Sequence, residues 1–126
     1  MSGRQNFTSA RVPRMSDAFP HAVVANDLIF VSGTPGFDPS TGHLSERFEE
    51  QAAQAFRNLK TVLEELGIGL DKVLKTRVFM VAGNDFASLN HVYRDVFPEN
   101  APARSTPQVL PFPGGILISV ECIALV

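Results

Sequence analysis

The stretch that most constrains the fold is residues 115–126, GILISVECIALV, a predicted strand that is apolar on both faces. Because successive side chains of a strand point to opposite sides of a sheet, this stretch divides into two sets. The first set is Ile116, Ile118, Val120, Cys122 and Ala124, and the second is Leu117, Ser119, Glu121, Ile123 and Leu125. In so small a domain, such a strand predicts helices on one face and another subunit on the other.

Two helices that could supply the first layer are visible as apolar repeats at spacings of three and four. The first follows Ser45, its predicted cap, and ends at Gly67, whereas the second follows Asp85, its predicted cap, and stops at Pro98. The apolar positions are Phe48, Ala52, Ala55, Phe56, Leu59, Leu63 and Leu66 in the first, and Phe86, Leu89, Val92, Val96 and Phe97 in the second. Tyr93 is also predicted to be a core residue.

The remaining apolar runs predict strands around these helices. They cover residues 22–24 and 28–32, on either side of the turn-prone pair Asn26-Asp27, then residues 72–81, and residues 104–110 with Pro107 favouring a sheet edge. The predicted order is β-β-α-β-α-β-β. This is an α+β fold with a mixed sheet and two helices on one face.

Length and charge narrow the class of protein. With 126 residues the chain suits one domain, residues 1–126, in which residues 1–18 are predicted to be an irregular amino-terminal segment. The net charge of −2 and the lack of a Lys/Arg cluster disfavour nucleic-acid binding through a basic face. No apolar run is long enough to cross a membrane, no secretory signal is visible, and a single cysteine fits a reducing cytoplasm.

Arg104 is the first candidate for function, because the sequence PARSTP seats it between a proline turn and a predicted strand. Pro102 fixes the turn, and a guanidinium presents a planar fork of donors that fits a carboxylate bidentately. The functional interpretation is an anion clamp. The alternative is a surface or interface arginine that pairs with an Asp or Glu.

Two further pairs of residues could carry chemistry. Glu121 and Ser119 lie on one face of the last strand among apolar residues, so a carboxylate there needs a partner or a raised pKa. Glu121 is therefore a candidate general acid or base, or alternatively half of an interface ion pair with an arginine. Ser32 and Gly33 end a strand before a Gly/Pro-rich loop, where a ligand could approach the backbone or an ordinary turn could form.

The sequence predicts neither a metal site nor an organic cofactor. His21, His43 and His91 lack the spacing of metal ligands, and no cysteine lies near them. Cys122 has apolar neighbours and is predicted to be a small core residue rather than a nucleophile.

Several segments in this order resemble the RidA family, also called the YjgF/YER057c/UK114 family, of reactive-intermediate imine deaminases. The segments are LIFVSGTPGFDPSTGHL, EEQAAQAFRNLKTVLEELG, VLKTRVFM, NDFASLNHVYRDVFP and PARST. The SG before a D-P-x-T-G loop, the N-D-F-x-x-x-N-x-x-Y helix start and P-A-R-S are specific as a set. The resemblance covers residues 19–126, nearly the whole chain.

The resemblance implies a chorismate-mutase-like fold that assembles as a homotrimer with clefts between adjacent subunits. It also implies hydrolysis of enamine and imine acids, such as 2-aminoacrylate and 2-iminobutanoate, to 2-keto acids and ammonia without a metal or organic cofactor. Arg104 matches the arginine that clamps the substrate carboxylate. Thr106 falls where many members have a cysteine whose backbone N–H contacts the ligand, and Ser32, Gly33 and Asn90 match positions that line or support the cleft.

Two positions depart from the family pattern. Phe19 replaces a common tyrosine, with His21 two residues further on. Ser119 stands where an ungapped alignment places the water-orienting glutamate, and Glu121 matches a second glutamate that members commonly have. Because Ser119 cannot act as a carboxylate base, water activation stays open among Ser119, Glu121 and His21.

Four functions follow as hypotheses. The leading one is a 2-iminobutanoate/2-iminopropanoate deaminase-like hydrolase whose ligand is a small imino or keto acid. The second is a pathway-specific relative with another substrate, such as a 2-aminomuconate deaminase-like or RutC-like protein. The third is a non-catalytic protein that binds keto acids or a protein partner. The fourth, ribonuclease activity, is disfavoured by the acidic balance and the absence of a basic patch.

Overall fold

The computed structural model describes residues 3–126, which form two α-helices and a mixed seven-stranded sheet. The strands are β1 (Arg4–Phe7), β2 (Ala22–Ala25), β3 (Leu28–Thr34), β4 (Val73–Val81), β5 (Ala103–Ser105), β6 (Gln108–Val109) and β7 (Ile118–Leu125). The helices are α1 (Phe48–Glu65) and α2 (Phe86–Val96), and two short 3-10 turns cover Leu70–Lys72 and Pro113–Gly115. No helix of this described part is long and apolar enough to cross a membrane.

The last strand, β7, lies near the middle of the sheet, whose order is β1-β2-β3-β7-β4-β5 with β6 also paired to β4. It runs antiparallel to both neighbours, β3 and β4, whereas β5 and β6 run parallel to β4. One face of this central strand is buried, with Ile118, Val120 and Cys122 in the core, whereas Leu125 on its other face is 39% exposed.

Both helices pack on one face of this sheet, as predicted. The buried sheet residues and the buried residues of the two helices form a single hydrophobic cluster. Its members include Ile29, Val31, Val78, Met80, Ile118 and Val120 from the sheet, Ala52, Ala55, Phe56, Leu59 and Leu63 from α1, and Leu89 and Val92 from α2. Phe86 is a wrong core prediction: it is 39% exposed, because it begins α2 one turn before the helix reaches the cluster.

The predicted ends of the helices are largely confirmed. The Asp85 side chain accepts a hydrogen bond from the Ser88 backbone N–H at 3.2 Å, and Gly67 follows α1 with φ of +87°, a conformation that glycine adopts without strain. The predicted cap Ser45 is wrong, because α1 begins after Arg47, which makes no side-chain cap. Ser45 Oγ instead donates to the Glu50 carboxylate at 2.6 Å.

Two predicted segments need correction. Of the irregular segment 1–18, residues 1–2 lie outside the described residues, and Arg4–Phe7 is not irregular but pairs antiparallel with β2. Its polar, largely exposed side chains give no apolar alternation, so the pairing is set by its neighbour rather than by its own sequence. The predicted single strand at residues 104–110 is split into β5 and β6 at Pro107, which has no N–H to donate to β4.

The opposite face of the sheet carries apolar residues that the single chain leaves accessible. Phe30 is 42% exposed and Leu125 is 39% exposed, whereas Ile123 is half-buried. Exposed apolar groups on an otherwise ordered sheet are typical of a surface that another chain covers. The homotrimer nevertheless stays a prediction.

Candidate active site

Arg104 lies on β5, where the parallel pairing with β4 sets it beside the fully buried Thr76. Its Nε donates a hydrogen bond to Thr106 Oγ1 at 2.8 Å, and its guanidinium carbon lies 4.7 Å from the centre of the Tyr93 ring. Within residues 3–126, no carboxylate pairs with it and no hydrogen bond engages its terminal nitrogens. The Nη fork therefore remains available for a bidentate carboxylate.

The ring beneath Arg104 is itself held firmly. The Tyr93 hydroxyl lies 2.6 Å from Thr76 Oγ1, and the ring packs against Phe56 and Phe97 with centroid distances of 5.5 and 5.0 Å. Burial raises the pKa of Tyr93 above its ordinary value, partly offset by the Thr76 hydrogen bond and the Arg104 charge. The phenol is therefore neutral at physiological pH. The core prediction for Tyr93 is confirmed, but its contact with Arg104 was not foreseen.

Asn90 is half-buried on α2, one turn before Tyr93. Residues three apart on a helix lie on the same face, which places Asn90 on the side of α2 that carries the ring under Arg104. Asn90 and Tyr93 both belong to the motif N-x-x-Y. Because the resemblance placed Asn90 at the cleft, this spacing is the sequence signal that could have placed Tyr93 near Arg104.

A second group of predicted residues lies at a bulge in β3. The register shifts between Val31 and Thr34, so Ser32 and Gly33 together stand opposite Glu121 of β7. A Cβ atom on Gly33 would lie 2.8 Å from Ser119 Oγ, which brings this hydroxyl against the glycine backbone. A larger residue at position 33 would force the Ser119 hydroxyl to move, and Ser32, Gly33 and Ser119 do lie together.

Ser32 and His21 use their polar side-chain atoms to hold the backbone. Ser32 Oγ donates to the Pro20 carbonyl at 2.7 Å. His21 Nδ1 accepts from the Ser9 backbone N–H at 2.9 Å and Nε2 lies 3.2 Å from the Pro13 carbonyl, which assigns the proton to Nε2. Both imidazole nitrogens are thus engaged, and His21 has no lone pair available for a water molecule.

Phe19 lies 43% exposed at a narrow, mainly apolar cleft beside this bulge. The walls of the cleft include Val12, Pro13 and Phe37, together with the Ser32–Gly33 backbone. The structure thus brings Phe19, His21, Ser32 and Gly33 to one cleft of the single chain, which does not include Arg104.

Glu121 is occupied by an ion pair. Its Oε2 lies 3.0 Å from Arg77 Nη1 of the neighbouring strand β4. The alternative interpretation of Glu121, an ion pair with an arginine, is therefore observed, although the arginine belongs to the same chain. Ser119 Oγ, in contrast, makes no hydrogen bond within the part of the chain that the structure describes.

The residues around Arg104 (the arginine group) and those around the Ser32–Gly33 bulge (the glycine group) do not meet within one chain. Arg104 lies on the helix-covered face at β5, whereas Ser32 lies on the opposite face at β3. Three strand spacings separate the two strands, or about 14 Å. A small imino acid cannot span that distance through the sheet, so one chain does not assemble all the predicted residues into one site.

The other residues considered for chemistry, Cys122 and possible metal ligands, belong to neither the arginine group nor the glycine group. Cys122 is buried, and burial, assisted by the Glu121 charge, raises its pKa to about 12. The prediction that Cys122 is a small core residue is confirmed, and its burial and raised pKa disfavour a thiolate. Among residues 3–126, no three His, Cys, Asp or Glu side chains cluster closely enough to hold a metal ion.

Fold and site define a class: a single-sheet α+β protein with a glycine bulge on one face and, at one edge, an arginine whose terminal nitrogens have no partner in the described part of the chain. The chain belongs to the RidA family, because residues 9–126 match the family model described as endoribonuclease L-PSP and two of its relatives are 37% and 40% identical along nearly the whole chain. The resemblance seen in the sequence is therefore confirmed.

The relatives support this assignment along nearly the whole chain. The 2-iminobutanoate/2-iminopropanoate deaminase of Rattus norvegicus is 37% identical over 97% of this chain and 90% of its own length. The RutC family protein UK114 of Drosophila melanogaster is 40% identical over 97% of this chain and 89% of its own. The crystal structure of RidA from an Antarctic Psychrobacter is 34% identical, with a TM-score of 0.90 over 97% of this chain and 99% of that one. The family thus includes imine deaminases.

Proposed function

We propose that this protein is a hydrolytic deaminase of small enamine and imine carboxylates of the 2-aminoacrylate and 2-iminobutanoate type. The products are a 2-keto acid and ammonia. The observation that carries the proposal is the Arg104 fork, which is held by Thr106 and Tyr93 yet has no partner for its terminal nitrogens among the described residues. The deaminase names of relatives about 35% identical support the same reaction class.

The proposal places the active site between adjacent subunits of a homotrimer. Arg104, Thr106 and Asn90 of one copy would face Phe19 and the Ser32–Gly33 bulge of another. Two features support this arrangement: the two groups lie on opposite faces of one sheet, and the face that carries the bulge also exposes Phe30. An assembly that covers that face would bury apolar surface and bring the groups together.

The reaction needs one water molecule and no cofactor. Water adds to the imine carbon and forms a carbinolamine, which expels ammonia as the carbonyl C=O forms. Arg104 holds the carboxylate, and the backbone at Thr106 with Ser32 orients the imine end. Since imine hydrolysis is intrinsically easy, holding the reactants in place accounts for most of the rate gain in this proposal.

Ser119 is the residue we assign to the water. His21 has both nitrogens engaged, and Glu121 is paired with Arg77, whereas the Ser119 hydroxyl lies against Gly33 and has no such partner among residues 3–126. A hydroxyl orients water through a hydrogen bond and does not remove its proton. Ser119 is therefore proposed to position the water, with Glu121 as the base only if its ion pair opens.

One observation favours a second candidate, a non-catalytic protein that binds keto acids. The position of the family glutamate is Ser119, so the site lacks a carboxylate there. The changed residues Phe19 and Ser119 equally fit a pathway-specific relative of the 2-aminomuconate deaminase or RutC type. Nuclease activity remains disfavoured by the net charge of −2.

The test generates 2-iminopropanoate and 2-iminobutanoate with an amino-acid oxidase and traps surviving imine with semicarbazide. The wild type should deplete the imine, Arg104→Ala should not, and Arg57→Ala, an exposed arginine on α1, should match the wild type. Equal depletion by the wild type and Arg104→Ala contradicts the clamp. If the wild type binds 2-oxobutanoate in calorimetry but depletes no imine, the non-catalytic candidate is supported.

A further inference from the structure

We infer that Tyr93 is a positioning residue for the proposed reaction: its ring fixes the Arg104 guanidinium, and the Thr76 hydroxyl fixes the ring. This inference rests on the proposed function, since it deepens the account of how the carboxylate is bound. Tyr93 would touch neither the imine carbon nor the water. Its effect would reach the substrate only through Arg104.

The Arg104 guanidinium is held by contacts on one face and on one edge. The Tyr93 ring covers one face at 4.7 Å, within the range of a cation–π contact. Thr106 occupies the Nε edge with a hydrogen bond of 2.8 Å. An arginine side chain has many rotamers, and a face contact combined with an edge contact restricts its orientation, while its two terminal nitrogens make no hydrogen bond within residues 3–126.

The Tyr93 ring is itself anchored by burial, by a hydrogen bond and by ring packing. Tyr93 is 7% exposed, its hydroxyl lies 2.6 Å from Thr76 Oγ1, and Phe56 packs edge-on to it at an interplanar angle of 78°. Thr76 is also the residue that stands in register with Arg104 across the β4–β5 pair. The backbone pairing and the Tyr93 bridge therefore connect the same two positions by two independent routes.

The charge state of Tyr93 decides whether Arg104 keeps its positive charge for a substrate. A tyrosinate at this distance would neutralise the Arg104 charge and compete with a substrate carboxylate. Burial holds the phenol in its neutral form, so the ring attracts the guanidinium through its quadrupole without cancelling its charge. An aspartate or glutamate in this place would also hold Arg104, but it would occupy the donors that the substrate needs.

The test uses Tyr93→Leu, which removes the ring, Tyr93→Phe, which keeps it, and Phe97→Leu as the matched control. Phe97 is equally buried and packs on Tyr93 at 5.0 Å, but the ring on which Arg104 lies is that of Tyr93. The readouts are the Kd for 2-oxobutanoate by calorimetry, the KM and kcat for 2-iminobutanoate, and the Tm of each variant.

Tyr93→Leu should weaken 2-oxobutanoate binding about tenfold and raise KM similarly while kcat changes less, the size of effect of a partly desolvated cation–π contact. Tyr93→Phe should restore most of this affinity, and Phe97→Leu should lower Tm without changing Kd more than about twofold. A folded Tyr93→Leu that binds like the wild type overturns the inference, as does an equal loss of affinity in Phe97→Leu.

The same measurements separate this inference from the proposed function. If the wild type binds 2-oxobutanoate but hydrolyses no imine, the proposed function fails, and the binding series still decides the role of Tyr93. If the wild type neither binds nor hydrolyses, both the carboxylate clamp and its positioning residue are wrong.

Discussion

Gln51 offers the sharpest test of how the fold supports the site, because one side chain holds two separate loops. It is 1% exposed on α1. Its Nε2 donates to the carbonyls of Ser45 at 2.8 Å and Gly115 at 2.9 Å, and its Oε1 accepts from the Leu117 N–H at 2.9 Å. Gly115 and Leu117 immediately precede β7, the strand that carries Ser119.

Gln51→Leu removes all three hydrogen bonds at similar side-chain size. Each buried group left unsatisfied costs about 1–3 kcal/mol, but water can reach the exposed Gly115, so the three costs do not add fully. We expect the free energy of unfolding to fall by about 3–4 kcal/mol, or the Tm to fall by roughly 10–15 °C. Urea unfolding followed by circular dichroism measures this change.

Gln51→Glu tests the same hydrogen bonds through the pH dependence of the free energy of unfolding. Its carboxylate still accepts from Leu117 but faces two carbonyls, so its pKa in the folded state should exceed the ordinary value of about 4.3. The folded state then binds the proton more tightly than the unfolded state, so stability should fall as pH rises through this raised pKa. Near pH 4 the protonated acid can donate to one carbonyl, and the variant should approach the wild type.

Gln108→Glu, the same change at an exposed position of β6, is the control and should show no such pH dependence. The reasoning is refuted if Gln51→Leu stays within about 1 kcal/mol of the wild type, below the cost of even one unsatisfied buried group. It is refuted equally if Gln51→Glu and Gln108→Glu respond to pH in the same way.

Three further outcomes follow from burial and from position 119. Leu59→Ala, at a fully buried position of α1, should lower the free energy of unfolding by about 2–5 kcal/mol in urea titration, and a smaller loss would place Leu59 outside the core. Cys122, with its pKa raised to about 12, should resist a thiol reagent at pH 8 until urea unfolds the chain, and rapid labelling of the native protein would contradict its burial. Ser119→Glu, which supplies a carboxylate beside Gly33, should raise kcat for 2-iminobutanoate by about tenfold or more on the proposed function, with Ser119→Gln as the uncharged control that should not.

The helices were predictable because their signals are local. Leu59 and Leu89 recur at the helical period and are fully buried, and Asp85 caps α2 through its own next turn. β1 was missed for the opposite reason, since residues Arg4–Phe7 are mostly polar and exposed and take their conformation from β2. Local patterns therefore revealed the elements that bury themselves, but not the strand that depends on its neighbour.

The candidate site was predictable in its residue types but not in its geometry. Arg104 could be selected from its proline turn and from the family resemblance. Its contact with Tyr93 depends on the parallel register of β4 and β5 and on where α2 lies across the sheet, and neither is encoded near residue 104. The approach of Ser119 to Gly33 likewise depends on the bulge in β3, and the Arg77–Glu121 ion pair on the register of β4 with β7.

The polar side chains that are already hydrogen-bonded, and those that are not, indicate which ligand would suit the proposed cleft. Around the bulge, Ser32 and both nitrogens of His21 are bonded to backbone, so this half offers a mainly apolar surface with the Ser119 hydroxyl and with Arg14 among its lining residues. The other half offers the Arg104 guanidinium, whose charge no carboxylate of residues 3–126 cancels. A molecule with one carboxylate at one end and a small uncharged group at the other would satisfy both halves, whereas a second positive charge would meet Arg14 and the apolar ring of Phe19 and lose its hydration. This asymmetry, more than any single residue, is what favours an imine with a carboxylate at one end under the proposed function.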